Sequence, residues 1–147
     1  MKKGLIFIIK SLFVCVVLLS VIGMDGCSCT SPVIEWIKVF SDINDDGTFS
    51  QEVLPDPTTS TYNISTSHSF QIRIKTKEAL TSSDLNQSYI QIENQPSFKI
   101  SEFSGGGNTY YHQFTPNQFS PGSYTANIII YLNGTPSMGS ITLNIAQ

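Results

Sequence analysis

Short segments in which apolar and polar residues alternate recur along most of this 147-residue chain. In HSFQIRIKT the apolar positions are Phe70, Ile72 and Ile74, and GSITLNIA near the end repeats the pattern. Because side chains of a strand alternate between two faces, each such segment predicts a strand with one face on a core. Turn-forming stretches separate the segments, among them LPDPTTS, SGGGN, SPGS and NGTPSMG. Only KEALTSSDLNQ suggests a helix, of one short turn, so the sequence predicts an all-β fold, a single antiparallel β-sandwich.

The first 26 residues differ from the rest. Two lysines open them, and the stretch SLFVCVVLLSVIGM then carries no charge before Asp25. A basic start followed by a short apolar core is typical of an export signal, which is not part of a fold. This uncharged run is shorter than the roughly 20 residues that a membrane span needs. Counting from Leu5, with Lys10 inside the run, reaches that length, so an uncleaved anchor is an alternative.

The residues MDGC resemble the lipobox of bacterial lipoproteins, in which a small residue precedes a cysteine that becomes lipidated and N-terminal. Gly26 and Cys27 match this pattern, whereas Asp25 stands where the pattern has a small or apolar residue. The resemblance implies a signal peptide over residues 1–26, a lipid on Cys27 and a tether over residues 27–32. The protein would then be exported and lipid-anchored in the cell envelope, at the outer membrane or cell surface, with secretion as the alternative.

Cysteine usage and charge exclude several classes of function. Cys15 lies in the signal and Cys29 is the last cysteine, so the domain over residues 33–147 has neither a disulfide framework nor a zinc-type cysteine cluster. From Cys27 onward, five lysines and arginines stand against ten carboxylates, a net charge of −5. Nucleic acid, whose phosphates require clustered basic residues, is therefore excluded as a partner.

Two longer stretches resemble the bacterial immunoglobulin-like domains of cell-surface proteins. The first is FQIRIKTKEALTSSDLNQSYIQIEN, and the second is YYHQFTPNQFSPGSYTANIII. In those families an apolar strand runs into a turn with a leucine-containing SSDLN segment, and a later TP…SPGSYT leads into the next-to-last strand. The likeness covers roughly residues 69–145 and implies an immunoglobulin-like sandwich. Within it, we expect Tyr124 to bury its ring while its hydroxyl bonds a nearby backbone group.

The stretch SDINDDGTFSQE begins like a calcium-binding loop. A twelve-residue loop needs oxygen ligands at positions 1, 3, 5, 7 and 9, glycine at 6 and a carboxylate at 12. The matching residues, counted from Asp42, are Asp42, Asn44, Asp46, Gly47 and Thr48, with Ser50 at position 9. Position 12 is Val53, and Glu52 stands one place early, so the loop is not an EF-hand. Glu52 or Asp45 could still complete a Ca²⁺ site; the other interpretation is an acidic turn, since Asp, Asn and Gly also form turns.

No pattern in the sequence indicates catalysis. His68 and His112 are the two histidines, and neither lies near a nucleophile motif such as G-x-S-x-G. We therefore expect no enzyme, but a binding or structural module whose partner is an envelope protein or a glycan. Two alternatives remain, a calcium-dependent carbohydrate-binding or adhesin module and, third, a small secreted hydrolase.

Overall fold

The computed structural model describes residues 33–104 and 106–147. The compact unit runs from Pro32 to Gln147. Its described part contains ten strands and one short helix in this order: β1 Ile34–Ser41, β2 Gln51–Val53, β3 Thr61–Ser65, β4 Phe70–Thr76, α1 Ser82–Gln87, β5 Tyr89–Ile92, β6 Ser97–Lys99, β7 Ser101–Glu102, β8 Thr109–Phe114, β9 Gly122–Leu132 and β10 Thr135–Ala146.

The strands form two five-stranded sheets. Sheet A has the order β2-β1-β4-β8-β7, and sheet B has the order β3-β10-β9-β5-β6. Neighbouring strands run antiparallel with one exception, since β3 lies parallel to the second half of β10. The structure thus confirms the prediction of an all-β sandwich, and adds one parallel pair that the sequence did not predict.

The alternation seen in the sequence builds the core between the sheets. Every second side chain of β4 is buried, and Tyr110 and Phe114 of β8 continue that inner layer. Burying one such large apolar side chain contributes about 1.5–3 kcal/mol relative to leaving it exposed. The largest fully buried apolar side chains from both sheets are Val39, Ile72, Ile74, Ile90, Ile92, Phe114, Ile128, Ile130 and Leu143.

One end of the core is aromatic. The rings of Phe70 and Phe114 stack with centroids 4.6 Å apart, and Phe119 lies 5.4 Å from Phe114. Tyr124 packs beside Phe119 and donates its hydroxyl to the Ser120 carbonyl oxygen at 2.9 Å. The hydrogen bond expected for Tyr124 is therefore present, and it links the start of β9 to the preceding turn, whereas the ring is half-buried rather than fully buried.

The two sheets are joined on one side by a continuous piece of chain. Strand β6 belongs to sheet B and β7 to sheet A, and only Ile100 separates them. Ile100 is buried, so the chain crosses from one sheet to the other through the edge of the core. His112 on β8 donates its Nδ1–H to the Lys99 carbonyl oxygen at 2.7 Å and holds this crossing in place.

The short helix α1 has a capping box. The Thr81 hydroxyl accepts the Asp84 backbone N–H at 3.2 Å, and the Asp84 carboxylate accepts the Thr81 backbone N–H at the same distance. Both exchanges satisfy donors that a helix start leaves unpaired. The Thr81 hydroxyl also donates to the Asp84 carboxylate, which lowers the pKa of Asp84. The predicted single short turn is confirmed as a six-residue helix.

Among the described residues, no helix is long and apolar enough to cross a membrane. The predicted signal peptide, the lipidation site Cys27 and the tether lie outside the described residues.

Candidate functional site

The acidic loop between β1 and β2 is organised around Asp42. This side chain is only 4% exposed, and its backbone N–H donates to the Ser69 carbonyl oxygen, which extends the pairing of β1 with β4. Its two carboxylate oxygens accept the backbone N–H groups of Asp46, at 3.2 Å, and Gly47, at 2.9 Å. Asp42 therefore stabilises the turn of its own loop. This turn needs positive φ at Asp45 (53°) and Gly47 (80°), which Asp and Gly adopt more readily than most residues.

The other predicted ligands within the loop are exposed. Asp46 accepts the Thr48 backbone N–H at 2.8 Å, and this hydrogen bond lowers the pKa of the Asp46 carboxyl group. Asn44 is exposed and makes no hydrogen bond within the described part of the chain. The loop thus presents Asn44, Asp46 and Thr48 to solvent, above the buried Asp42.

Glu52 lies apart from the loop, on β2. It stands across from Phe40 in the β1–β2 pair, and its carboxylate forms an ion pair with Lys38 at 2.9 Å. In residues 33–104 and 106–147, no three His, Cys, Asp or Glu side chains form a group that could hold a metal ion. The calcium site stays a prediction, and the structure gives Asp42, Asp46 and Glu52 partners within the protein.

A histidine connects the acidic loop to the turn between β3 and β4. The Nδ1 atom of His68 lies 3.2 Å from a carboxylate oxygen of Asp45. A hydrolase would need a nucleophile hydrogen-bonded to the remaining ring nitrogen. Within the described residues His68 has no such bond, and the nearby Ser65 hydroxyl pairs with that of Ser67 at 2.7 Å. The contact between His68 and Asp45 therefore links the β3–β4 turn to the acidic loop.

A groove of about 480 Å³ lies at the edge of the sandwich, between β2 of sheet A and β3 of sheet B. Its lining includes the buried Ile64 of β3 and the exposed Ile43 (45%) and Leu54 (73%). The polar side chains that also line it are Ser41, Gln51, Glu52, Asn63, Ser65 and His68. His68 and Glu52 are the ionisable side chains that line it. We call this surface the β2–β3 groove. Sequence reasoning missed it, because β2 and β3 are three and five residues long and neither has a strong alternation.

The outer face of sheet A carries a second cluster that the sequence did not reveal. The Arg73 guanidinium lies between the rings of Phe40, at 4.0 Å, and Phe103, at 4.4 Å. It donates to the Phe49 carbonyl oxygen at 2.8 Å, and burial lowers its pKa. The Arg73 side chain therefore connects the end of the acidic loop, at Phe49, to sheet A. Phe103 in turn contacts the half-buried ring of Tyr111 edge-on.

The described residues therefore offer two features: a buried carboxylate that shapes an acidic loop, and beside it an open groove with both apolar and polar lining. Comparison with known proteins adds no family to this description, since no family model, curated protein or solved structure matches the chain.

Proposed function

We propose that the protein is a non-catalytic module of a bacterial cell envelope, with an immunoglobulin-like sandwich held at a membrane by a lipid on Cys27. Its role is to bind another envelope protein. The immunoglobulin-like assignment rests on the sequence resemblance together with the two-sheet architecture. The lipid assignment rests on the residues around Gly26 and Cys27.

The observation that carries the binding role is the β2–β3 groove. Soluble domains seldom leave large apolar side chains clustered at the surface, and such clusters mark sites of interaction. The described residues contain three exposed large apolar side chains, and two of them, Ile43 and Leu54, border this groove. A partner that covers both would remove apolar surface from water, which favours association.

The anchor is tested by the mass of the processed protein. Expression of the full chain in a bacterial host that processes lipoproteins should yield a chain beginning at Cys27 and carrying acyl groups, found in the membrane fraction. Two acyl chains hold a protein at a membrane far better than one, so the protein should stay there after washing in salt.

The two neighbouring cysteines provide a matched pair of variants. Cys27→Ala should abolish acylation and release the protein from membranes, whereas Cys29→Ala should leave processing unchanged. Retention of an unmodified chain that begins at Met1 would contradict the proposal and indicate an uncleaved anchor instead. An unmodified, cleaved chain in the medium would indicate secretion.

The alternative is a calcium-dependent carbohydrate-binding or adhesin module. It is supported by the loop of Asp42 and Asp46, and by the partly exposed rings of Phe40, Phe103 and Tyr111 on the adjoining face. Calcium that binds only the native loop must raise the midpoint of thermal unfolding, by mass action. A rise in millimolar calcium that Asp46→Ala removes would favour this alternative, and an unchanged midpoint would count against it.

A further inference from the structure

The two sides of the sandwich are closed differently. On one side the chain crosses directly from β6 to β7 through the buried Ile100. On the other side β2 and β3 are the outermost strands of their sheets, and residues 54–60 connect them. The β2–β3 groove is the open seam that results. No described strand lies in it between the two sheets.

Both strands beside the groove have an unpaired edge. Strand β2 pairs with β1, and β3 pairs with β10, so in the described structure the opposite edge of each has no strand partner. An edge strand exposes backbone N–H and C=O groups that can pair with another chain. Strand β3, Thr61–Ser65, has the longer edge and contains neither proline nor lysine. The Thr61 carbonyl oxygen already accepts the Asp56 backbone N–H at 2.9 Å, so the free part of this edge begins after Thr61.

The remaining free edge near this side is protected. Strand β10 extends beyond β3, and its residues 135–141 have no partner on that side among the described strands. Pro136 lies within this stretch and has no backbone N–H to donate. Two edges of the same region thus differ, because β10 carries a residue that discourages strand addition and β3 does not.

The surroundings of the groove are acidic. Five of the ten carboxylates between residues 33 and 147 fall between positions 42 and 56, and no lysine or arginine occurs from 39 to 72. Of the two ionisable side chains that line the groove, Glu52 pairs with Lys38 and His68 contacts Asp45. An incoming segment with basic side chains would meet complementary charge, which speeds encounter and selects the partner.

We propose that the β2–β3 groove binds one extended segment of a partner protein, which adds as a strand to the free edge of β3. The segment has apolar side chains at alternate positions, packed over Ile64 between Ile43 and Leu54, and lysine or arginine at the positions between them. Backbone hydrogen bonds give such a complex its affinity, and the pockets for alternate side chains give its specificity. This inference rests on the proposed binding role and names the chemistry of the partner.

The test uses a capped, fluorescent seven-residue peptide of alternating lysine and valine, titrated into the full chain in mild detergent and followed by anisotropy. Two control peptides separate the contribution of the basic side chains from that of the backbone hydrogen bonds. One has glutamate in place of lysine, and the other is N-methylated at alternate residues so that one edge cannot form strand hydrogen bonds. We expect saturable binding of the first peptide, and binding at least about tenfold weaker for both controls.

Variants of the protein locate the site. The double variant Ile43→Ser, Leu54→Ser should weaken the lysine–valine peptide by about tenfold or more, since apolar anchors dominate such interfaces. Met138→Ser is the matched control, because Met138 (70% exposed) is about as exposed as Leu54 but lies on β10, outside the groove. It should change affinity less than twofold. Unfolding midpoints of all variants establish that they are folded.

Several results would overturn the proposal. These are no binding of the lysine–valine peptide, equal binding of the N-methylated peptide, or an equal loss in Met138→Ser. Self-association of the chain that the Ile43→Ser, Leu54→Ser variant abolishes would identify a second copy as the occupant instead. If the peptide fails to bind while Cys27 is acylated and the protein stays at the membrane, the strand inference falls and the anchored module stands.

Discussion

At the scale of single residues, Asp42 shows how one carboxylate can support two interpretations. Its spacing to Asn44 and Asp46 predicts a calcium ligand, and the structure gives it two backbone donors within the loop. The sequence identified which residues share the loop. It could not show that Asp42 turns inward, because that depends on the positive φ angles at Asp45 and Gly47 and on the contact with Ser69.

Asp42→Ala should therefore destabilise the protein even without calcium. Two backbone N–H groups would lose their acceptor, which costs about 1–3 kcal/mol of the free energy of unfolding. The measurement is urea unfolding in the presence of a chelator. Asn44→Ala, in the same loop but without a hydrogen-bond partner in the described residues, should stay within about 0.5 kcal/mol of the parent. Equal effects of the two substitutions would show that Asp42 does not organise the loop.

At the scale of elements, strand β8 shows that the alternation of side chains along a strand correctly predicts which face each residue occupies. Adjacent Tyr110 and Tyr111 must point to opposite faces of a strand. In the structure Tyr110 is 2% exposed, while Tyr111 lies half-buried on the outer face. The sequence predicts this opposition but not the hydrogen bond that follows, in which the Leu80 backbone N–H donates to the Tyr110 hydroxyl at 2.7 Å.

Tyr110→Phe should lower the free energy of unfolding by about 1–3 kcal/mol, because the Leu80 N–H ahead of α1 would lose its acceptor in a partly buried position. Tyr111→Phe removes the same atom from the neighbouring residue, whose hydroxyl has no partner in the described structure, and should be close to neutral. Chemical denaturation of both variants measures the difference. A neutral Tyr110→Phe would mean that water replaces the hydroxyl without loss.

At the scale of the whole molecule, stability depends on groups that link distant elements. His112 connects β8 to the sheet crossing at Lys99, and burial of its ring lowers its pKa from 6.5. The folded state therefore prefers the neutral imidazole. In the unfolded state the ring binds a proton more readily, so stability decreases as the pH falls below about 6.5.

Asp84 acts at lower pH. Its folded pKa lies below the usual 3.8, chiefly through the hydrogen bond from the Thr81 hydroxyl. The hydrogen-bonded carboxylate of Asp84 adds to the free energy of unfolding at pH values above its unfolded pKa. This stabilisation is lost as the pH falls through the folded pKa. Urea unfolding midpoints measured from pH 8 to pH 3 should therefore decline in two steps. His112→Asn should remove the first step alone, and Asp84→Asn should reduce the second alone; a single step unaffected by His112→Asn would contradict this assignment.

Local sequence predicts the strands with a clear alternation, together with their buried faces, but not the short β2 and β3. Segments such as 70–76 carry the period of two in their own residues, so the inward positions follow from local chemistry. Only the packed fold shows which strands are neighbours. Thr61–Ser65 pairs in parallel with residues 142–146, and the chain between 97 and 102 changes sheets at Ile100. The alternation of apolar and polar residues in a strand predicts which face is buried, but it does not indicate which strand will pair with it. Hence the open seam, with Ile43 and Leu54 beside it, exists only once the two sheets have packed.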